Sequence, residues 1–359
     1  MKHLPLCIAL LLSTATLAAQ PVVSAFGDSI TWGYNLTDPP TESWPAIVAK
    51  ARGWALVNTA AQGTQAEDEG QAVTVFRQTI TPSSKSLLLS GYNDMRMWGT
   101  NDDGLATYEG TLRAMLVWLG TPATRKITAQ SPMIMTWPYE AWHLLNTSLY
   151  PEDLGIFTTD KSGTASTTAS LVYGTTIYVT SMKLGSGGGS FTVSVDDTDF
   201  GTFSCNGARM TNNGTAYAPF VVRIPNLRDG LHAVAIRAAS PGPIYLLAIS
   251  GNGGLSNDGA EVWVGNCLSM KTYDFNGSAT AVRRYNDVID KVVRELRSDG
   301  FNIGFADVSA SYRPATMVSA DNVHPNKAGH RAIAQAFLQA MKAARHPDDH
   351  PKPSVSDTP

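Results

Sequence analysis

Pro21–Thr31 reads PVVSAFGDSIT, and this stretch decides the predicted fold. The apolar run Pro21–Phe26 predicts a buried β-strand, and the Gly-Asp-Ser sequence after it predicts a turn that leads into a helix. Open α/β sheets place their functional groups at the carboxyl ends of strands, so the hydroxyl of Ser29 is predicted to lie at such an end. A serine in this context is also typical of an ordinary turn or helix cap, so the stretch needs support from elsewhere.

Strand and helix patterns alternate on both sides of a long central region. Such alternation is typical of a parallel sheet with helices on both faces. The predicted strands are 21–26, 55–59, 86–89, 261–264 and 302–308, and the predicted helices include 44–51, 105–119, 282–296 and 333–341. We therefore predict an α/β domain built from residues 20–125 and 256–345.

The central region, residues 126–255, has a different pattern. Apolar residues there recur at every second position, as in Phe191, Val193 and Val195, and glycine-rich or Asn-Gly turns separate the runs. This pattern predicts an inserted antiparallel β-sandwich. Residues 126–165 give no clear pattern and are interpreted as an irregular lead-in.

The two ends of the chain predict export and a disordered tail. Residues 1–19 combine Lys2, an apolar run and small residues before the expected cleavage point, which is typical of a signal peptide. We therefore expect a secreted or periplasmic protein, and no other segment is long and apolar enough for stable membrane insertion. Residues 346–359 are proline-rich and lack apolar periodicity, so we expect disorder there.

Charge and cysteine content narrow the function classes. With 27 Lys and Arg, 30 Asp and Glu and a net charge of −3, the chain lacks the basic balance of a nucleic-acid-binding protein. Cys205 and Cys267 remain after the signal peptide, and export permits a disulfide between them without establishing one. Two cysteines without a histidine cluster predict no metal site.

A second block, Asp321-Asn322-Val323-His324, supplies the partners that a nucleophilic serine needs. A serine hydroxyl requires a base, and histidine is the side chain best suited to that task near neutral pH. A carboxylate three residues earlier can curl back to orient the imidazole. Taken alone, the block also fits a capping aspartate and a surface histidine beside the closing helix.

Two further segments follow predicted strands where an oxyanion hole would need them. Gly63 can present its backbone N–H closely, Asn93 can offer a side-chain N–H, and the N–H of Ser29 would make a third donor. Ordinary turn residues remain the alternative for Gly63 and Asn93. Trp32, Tyr34 and Trp98 flank these blocks and fit either a substrate pocket or core packing.

These blocks, in this order, resemble the SGNH (GDSL-type) hydrolases. The resemblance implies a flavodoxin-like three-layer α/β/α sandwich and ester hydrolysis that needs neither a metal nor another cofactor. It places Ser29, Asp321 and His324 in a catalytic triad and Ser29, Gly63 and Asn93 in the oxyanion hole. It leaves the substrate and the oligomeric state unknown.

Within that family, we expect a serine ester hydrolase acting on short acyl esters, acetyl above all, of a carbohydrate or polysaccharide. A lipase or thioesterase that acts on longer acyl chains is one alternative. A non-catalytic carbohydrate-binding protein is the other, and the complete set of Ser29, Asp321 and His324 argues against it.

Overall fold

The structure is a computed structural model of the 359-residue chain. It describes residues 20–74, 85–129, 131–137, 143–144, 157–159, 167–209, 211, 213–214, 216–255 and 260–344. The predicted signal peptide (1–19) and disordered tail (346–359) lie outside the described residues. Within the described part of the chain, no helix is long and apolar enough to cross a membrane.

The secondary structure follows the predicted change from α/β to β and back to α/β. The first part contains β1 (Val22–Gly27), α1 (Ser29–Trp32), α2 (Pro39–Glu42), α3 (Trp44–Arg52), β2 (Ala55–Asn58), α4 (Ala66–Thr74), β3 (Lys85–Leu89), α5 (Tyr92–Trp98) and α6 (Asp102–Gly120). The central part contains β4 (Lys126–Thr128), β5 (Met135–Trp137), β6 (His143–Leu144), β7 (Phe157–Thr159), β8 (Thr167–Gly174), β9 (Ile177–Leu184), β10 (Ser190–Val195), β11 (Thr198–Ser204), β12 (Tyr217–Ile224), β13 (Gly230–Ser240) and β14 (Ile244–Gly251). The last part contains β15 (Glu261–Gly265), α7 (Ala279–Ser298), β16 (Ile303–Ala306), α8 (Val308–Ser311), α9 (Pro314–Met317) and α10 (Lys327–Ala343).

A parallel five-stranded sheet lies at the centre of the α/β part, in the order β2-β1-β3-β15-β16. Counted along the chain without the antiparallel strands, this is the flavodoxin-like order 2-1-3-4-5. Strands such as β1 and β3 are apolar along most of their length because the sheet is covered on both faces. The predicted fold class is confirmed.

Two layers of helices cover this sheet. In one layer α3 packs against α10, and the rings of Trp44 and Phe337 stack with centroids 4.5 Å apart. In the other layer α6 packs against α4 and α7, and Tyr108 meets Tyr285 at 4.8 Å. Helix α7 contains the predicted helix 282–296 and buries its apolar side, and Ser278 caps it by accepting the N–H of Ala281.

Two antiparallel sheets form the central part. One has the order β11-β10-β13-β8-β5, and the other has the order β12-β9-β14-β7-β6, with β4 also paired to β14. The apolar residues that alternate along β10 and β13 point into a common core. Part of the ambiguous lead-in forms the short strands β4 to β7. That residues 126–255 make up a separate inserted domain stays a prediction.

The two parts of the molecule share buried apolar surface. Strand β12 packs on α4 and α6. Gly70 permits α4 to approach both, because a Cβ there would lie 2.5 Å from Thr111 on α6 and 3.3 Å from Pro219 on β12. Tyr178 on β9 meets Phe301 edge-on at 5.4 Å, inside the same core as the parallel sheet. Nearby, Arg223 donates two hydrogen bonds to the buried carboxylate of Asp299 at the end of α7. The antiparallel part is therefore packed into the α/β part over a continuous surface.

The two cysteines of the described chain are free and buried in different places. Cys205 lies in the core between the antiparallel sheets, with Ser181 beside it. Cys267 follows β15 and packs near the carbonyl of Ser90. The disulfide that export would permit is not formed.

Candidate active site

The turn after β1 holds Ser29 at the carboxyl end of the parallel sheet. Asp28 caps α1 by accepting the N–H of Ile30 at 2.8 Å, and Ser29 is the first residue of that helix. Gly27 has φ +146°, and a Cβ there would come within 2.3 Å of the carbonyl oxygen of Leu89 on β3. Only glycine fits, because the turn passes directly against the neighbouring strand. The N–H of Ser29 lies in the first turn of α1 and has no acceptor within the helix.

The loop between α9 and α10 brings the second predicted block to Ser29. The hydroxyl of Ser29 lies 2.9 Å from Nε2 of His324, and Nδ1 of His324 lies 2.6 Å from Oδ2 of Asp321. The other oxygen of Asp321 accepts the N–H groups of Val323 and His324, both at 3.0 Å. One carboxylate oxygen thus shapes the loop while the other faces the imidazole. The three side chains form a continuous path for proton transfer away from the serine.

Hydrogen bonds keep the carboxylate of Asp321 ionised. Partial burial raises the pKa of Asp321, but the hydrogen bonds from His324 and from the N–H groups of Val323 and His324 lower it by more. The net pKa is below the ordinary value for aspartate. At neutral pH Asp321 therefore carries the negative charge that an imidazolium needs opposite it.

Asn93, in the first turn of α5, and Gly63, in the loop after β2, lie on segments that are hydrogen-bonded to one another. The amide nitrogen of Asn93 donates to the carbonyl of Thr64 at 2.8 Å, which fixes α5 to the loop after β2. That loop is in turn fixed to the end of β1, because the N–H of Ala61 donates to the carbonyl of Gly27 at 3.1 Å. Gly63 has φ +76°, which favours glycine. The structure thus joins the segments that follow β1, β2 and β3 at the carboxyl end of the sheet.

Arg96 and Asp274 hold Asn93 from behind, and sequence reasoning missed both. Arg96 donates to the side-chain oxygen of Asn93 at 3.2 Å and makes two hydrogen bonds to Asp274, at 2.7 and 2.6 Å. These contacts orient the amide so that its nitrogen faces the loop of Thr64 and Gly63. Asn93 and Arg96 are three residues apart on one helical face, and this spacing could have predicted their contact. Asp274 lies 178 positions away from Arg96, so no local pattern predicts that contact.

The three aromatic residues predicted near a pocket have different surroundings. Tyr34 lies against the imidazole of His324, with ring centroids 4.5 Å apart. Trp32, at the end of α1, is 38% exposed. Trp98 is covered by the guanidinium of Arg209, 4.9 Å from its ring, and Arg209 belongs to the antiparallel part. Of the three, Tyr34 is in contact with the candidate triad.

Comparison with known families adds an independent observation. Residues 205–337 match the family model described as GDSL-like Lipase/Acylhydrolase. This segment of the chain is therefore similar to GDSL-like lipases and acylhydrolases. The matched residues include Asp321 and His324, whereas Ser29, Gly63 and Asn93 precede them in the sequence.

Solved structures similar to this chain include a G-D-S-L family protein and esterases, and no curated protein sequence matched it. A member of the lipolytic protein G-D-S-L family from Veillonella parvula is 13% identical, with 89% of this chain and 97% of that chain covered and a TM-score of 0.41. A family 3 carbohydrate esterase from Clostridium thermocellum is 11% identical, with coverages of 90% and 96% and a TM-score of 0.41. Est24, a carbohydrate acetylesterase from Sinorhizobium meliloti, is 10% identical, with coverages of 91% and 99% and a TM-score of 0.40.

Four buried carboxyl groups lie behind the segments that carry Ser29, Gly63 and Asn93: Asp28, Glu67, Glu69 and Asp94. Both oxygens of Asp94 accept the N–H of Ala66, at 3.1 and 3.0 Å, at the start of α4. Burial raises the pKa of Asp28 and of Glu67 to about 7, and burial with mutual repulsion raises the pKa of Glu69 and Asp94 well above the ordinary range. The group therefore retains protons at a pH where exposed carboxyls have lost them.

Replacement of Asp28 by asparagine is expected to stabilise the protein increasingly as the pH rises from about 4 to about 7. In that window folded Asp28 keeps its proton while the unfolded chain releases it, so the free energy of unfolding of the parent falls with rising pH. Asparagine keeps the acceptor for Ile30 and cannot titrate. We expect the stability difference to grow by a few kcal/mol, on the order of 1 kcal/mol for each unit of raised pKa.

Urea unfolding of Asp28→Asn and the parent between pH 4 and pH 8.5 measures this difference. Asp287→Asn, which changes an exposed carboxyl on α7, is the matched control. A difference between Asp28→Asn and the parent that stays constant across this range would show that Asp28 is already ionised near pH 4.

Proposed function

We propose that this protein is an exported serine ester hydrolase that works through an acyl-enzyme. The observation that carries the proposal is the unbroken series of contacts from Ser29 Oγ to His324 Nε2 and from His324 Nδ1 to Asp321, at 2.9 and 2.6 Å. The match to the GDSL-like Lipase/Acylhydrolase family supports the same chemistry.

Acylation begins when the hydroxyl oxygen of Ser29 attacks the ester carbonyl carbon. His324 takes the hydroxyl proton at Nε2, and the resulting imidazolium is stabilised by the carboxylate of Asp321. As the tetrahedral intermediate collapses, the bond to the alcohol oxygen breaks and the alcohol leaves with the proton from Nε2. Water then attacks the acyl-enzyme by the same route, which releases the acid and restores Ser29.

The negative charge on the tetrahedral oxygen is assigned to three donors. They are the N–H groups of Ser29 and Gly63 and the amide of Asn93, which come from the ends of three neighbouring strands. Donors fixed before the reaction stabilise developing charge without having to reorganise. The hydrogen bonds that join these loops, and the contacts of Arg96 with Asn93, supply that rigidity.

We assign short acyl esters, acetyl above all, on a carbohydrate or polysaccharide as the substrate class. The predicted export would place the enzyme among extracellular polymers, and we propose that the region 126–255 holds carbohydrate. The side chains of Asp321 and His324 retain 32% and 16% exposure, so the site lies near the surface, where a bulky polymer can reach it.

A series of p-nitrophenyl esters from C2 to C12 tests this assignment. We expect kcat/KM to fall beyond about four carbons, because an acetyl-sized pocket cannot accept a longer chain. A long-chain pocket would instead give a steep rise, since each buried methylene contributes about 0.8 kcal/mol. Acetate release from acetylated xylan, pectin and peptidoglycan then identifies the glycan, with Ser29→Ala as the blank.

A maximum at C8 or longer, with no acetate released from any glycan, would contradict the assignment. The protein would then be a lipase or thioesterase. A purified protein that hydrolyses none of these esters and does not react with a serine-directed phosphonate would instead support a non-catalytic role.

A further inference from the structure

We propose that Asn35 is a positioning residue of the triad, which fixes the carboxylate of Asp321 against His324. This inference rests on the proposed function, because it assigns a role within the same site. The amide nitrogen of Asn35 donates to Oδ2 of Asp321 at 2.7 Å, and the same oxygen faces Nδ1 of His324 at 2.6 Å. Since Asn35 and Asp321 are 286 positions apart, this hydrogen bond joins the two ends of the fold at the site.

The segment that carries Asn35 is anchored on the nucleophile itself. The N–H groups of Gly33 and Tyr34 both donate to the carbonyl oxygen of Ser29, each at 3.0 Å. Tyr34 then contacts the imidazole of His324, and Asn35 binds the carboxylate of Asp321. Three consecutive residues, Gly33 to Asn35, thus contact the three members of the triad in order, so the segment sets the position of the acid and the base relative to the serine.

The backbone conformation explains why asparagine suits position 35. Its φ is +67°, in the left-handed region that most residues avoid and that asparagine tolerates well. This turn directs the amide toward the loop of Asp321, which already uses its other oxygen to bind backbone N–H groups. With both oxygens engaged, the carboxylate is restrained against rotation, and its hydrogen bond to His324 keeps one geometry.

Asn35 also moderates the charge that His324 experiences. An amide donor draws electron density from Oδ2, so its loss would strengthen the attraction between Asp321 and a protonated imidazole. Among the described residues, the ionisable groups near this pair include His330, Tyr92 and Tyr312. Burial lowers the pKa of His330 to about 4 and raises the pKa of both tyrosines, so all three are neutral near pH 7. A charge introduced at position 35 should therefore be visible in the pH profile.

Two substitutions test the role, and both tolerate the left-handed backbone. Asn35→Gly removes the amide and is expected to lower kcat about tenfold with little change in KM, the scale of one hydrogen bond to a charged group. Asn35→Asp places a second carboxylate beside Asp321 and is expected to move the acidic limb of the kcat/KM profile upward by about one pH unit, with a smaller shift of the same sign in Asn35→Gly. Asn226→Asp is the matched control, because Asn226 has φ +63° and lies between β12 and β13, away from the site.

A second measurement does not depend on esterase activity. In the Ser29→Ala background, NMR titration of the His324 imidazole is expected to show a higher midpoint with Asn35→Asp and an unchanged midpoint with Asn226→Asp. A parent protein that hydrolyses no ester but gives this titration result would refute the proposed function and leave the positioning role supported.

Either of two results would overturn the positioning role. One is an unchanged kcat, pH profile and imidazole titration in both Asn35 variants. The other is a loss of activity with an unmoved pH profile and a lowered melting temperature, which would show that Asn35 contributes only to folding.

Discussion

Ser29→Ala and His324→Ala are each expected to lower kcat by at least about 10³-fold. Without the hydroxyl there is no nucleophile, and without the imidazole the hydroxyl keeps its proton. Triad members act as a unit, so the double variant should lose little more than either single one. Steady-state kinetics on p-nitrophenyl acetate with purified proteins measures the effect.

The controls for this experiment separate chemistry from folding. Ser298→Ala changes an exposed serine at the end of α7 and should retain the parent rate. The melting temperatures of the two triad variants should stay close to that of the parent, because each substitution removes few buried contacts. If a folded Ser29→Ala or His324→Ala protein keeps most of its activity, the triad assignment is wrong.

Asn93→Ala is expected to lower kcat by about 10²- to 10³-fold with little change in KM. This is the usual loss for one oxyanion donor, because the donor binds the tetrahedral oxygen more strongly than the ground-state carbonyl. Weaker inhibition by a phosphonate that mimics the tetrahedral intermediate should accompany the loss. A change confined to KM would mean that Asn93 binds substrate instead.

The hydrogen bond from Asn93 to Thr64 complicates the interpretation, so a second variant is needed. Asp274→Asn loosens Arg96 but leaves the Asn93 amide in place, and it should cost much less than Asn93→Ala. Asn302→Ala is a neutral control, because Asn302 is exposed just before β16, at the edge of the sheet opposite the site. Equal losses in Asn93→Ala and Asp274→Asn would point to loop rigidity as the function of Asn93.

Local sequence patterns are sufficient to predict the strands, the main helices and the residues that meet at the candidate site. Mostly apolar runs mark β1 and β3. The Gly-Asp-Ser sequence predicts the turn that holds Ser29, and the structure shows that Gly27 is needed there because a Cβ would clash with Leu89. His324 and Asp321 are three residues apart, so their pairing is also a local feature.

Long-range contacts explain what could not be predicted. Glu67 and Glu69 lie in the first turn of α4, where acidic residues usually face solvent, and the sequence does not indicate that both are buried. Along β9, Ile177 and Val179 predict one buried face, but Tyr178 on the other face is buried too, against the helical layer. Asn35 meets Asp321 across 286 positions, a separation over which pattern carries no information.

The shared core has a consequence for how such an enzyme can change over evolution or by engineering. The antiparallel part cannot be removed or replaced as an independent unit, because Tyr178 and Val221 lie in the same core as the helices that cover the parallel sheet. Excising residues 126–255 would expose that apolar surface and remove Arg223 and Tyr178, which hydrogen-bond to the carboxylate of Asp299. A variant without residues 126–255 would need compensating polar substitutions on α4 and α6 at the same time. The antiparallel sheets and the α/β part are therefore expected to vary together.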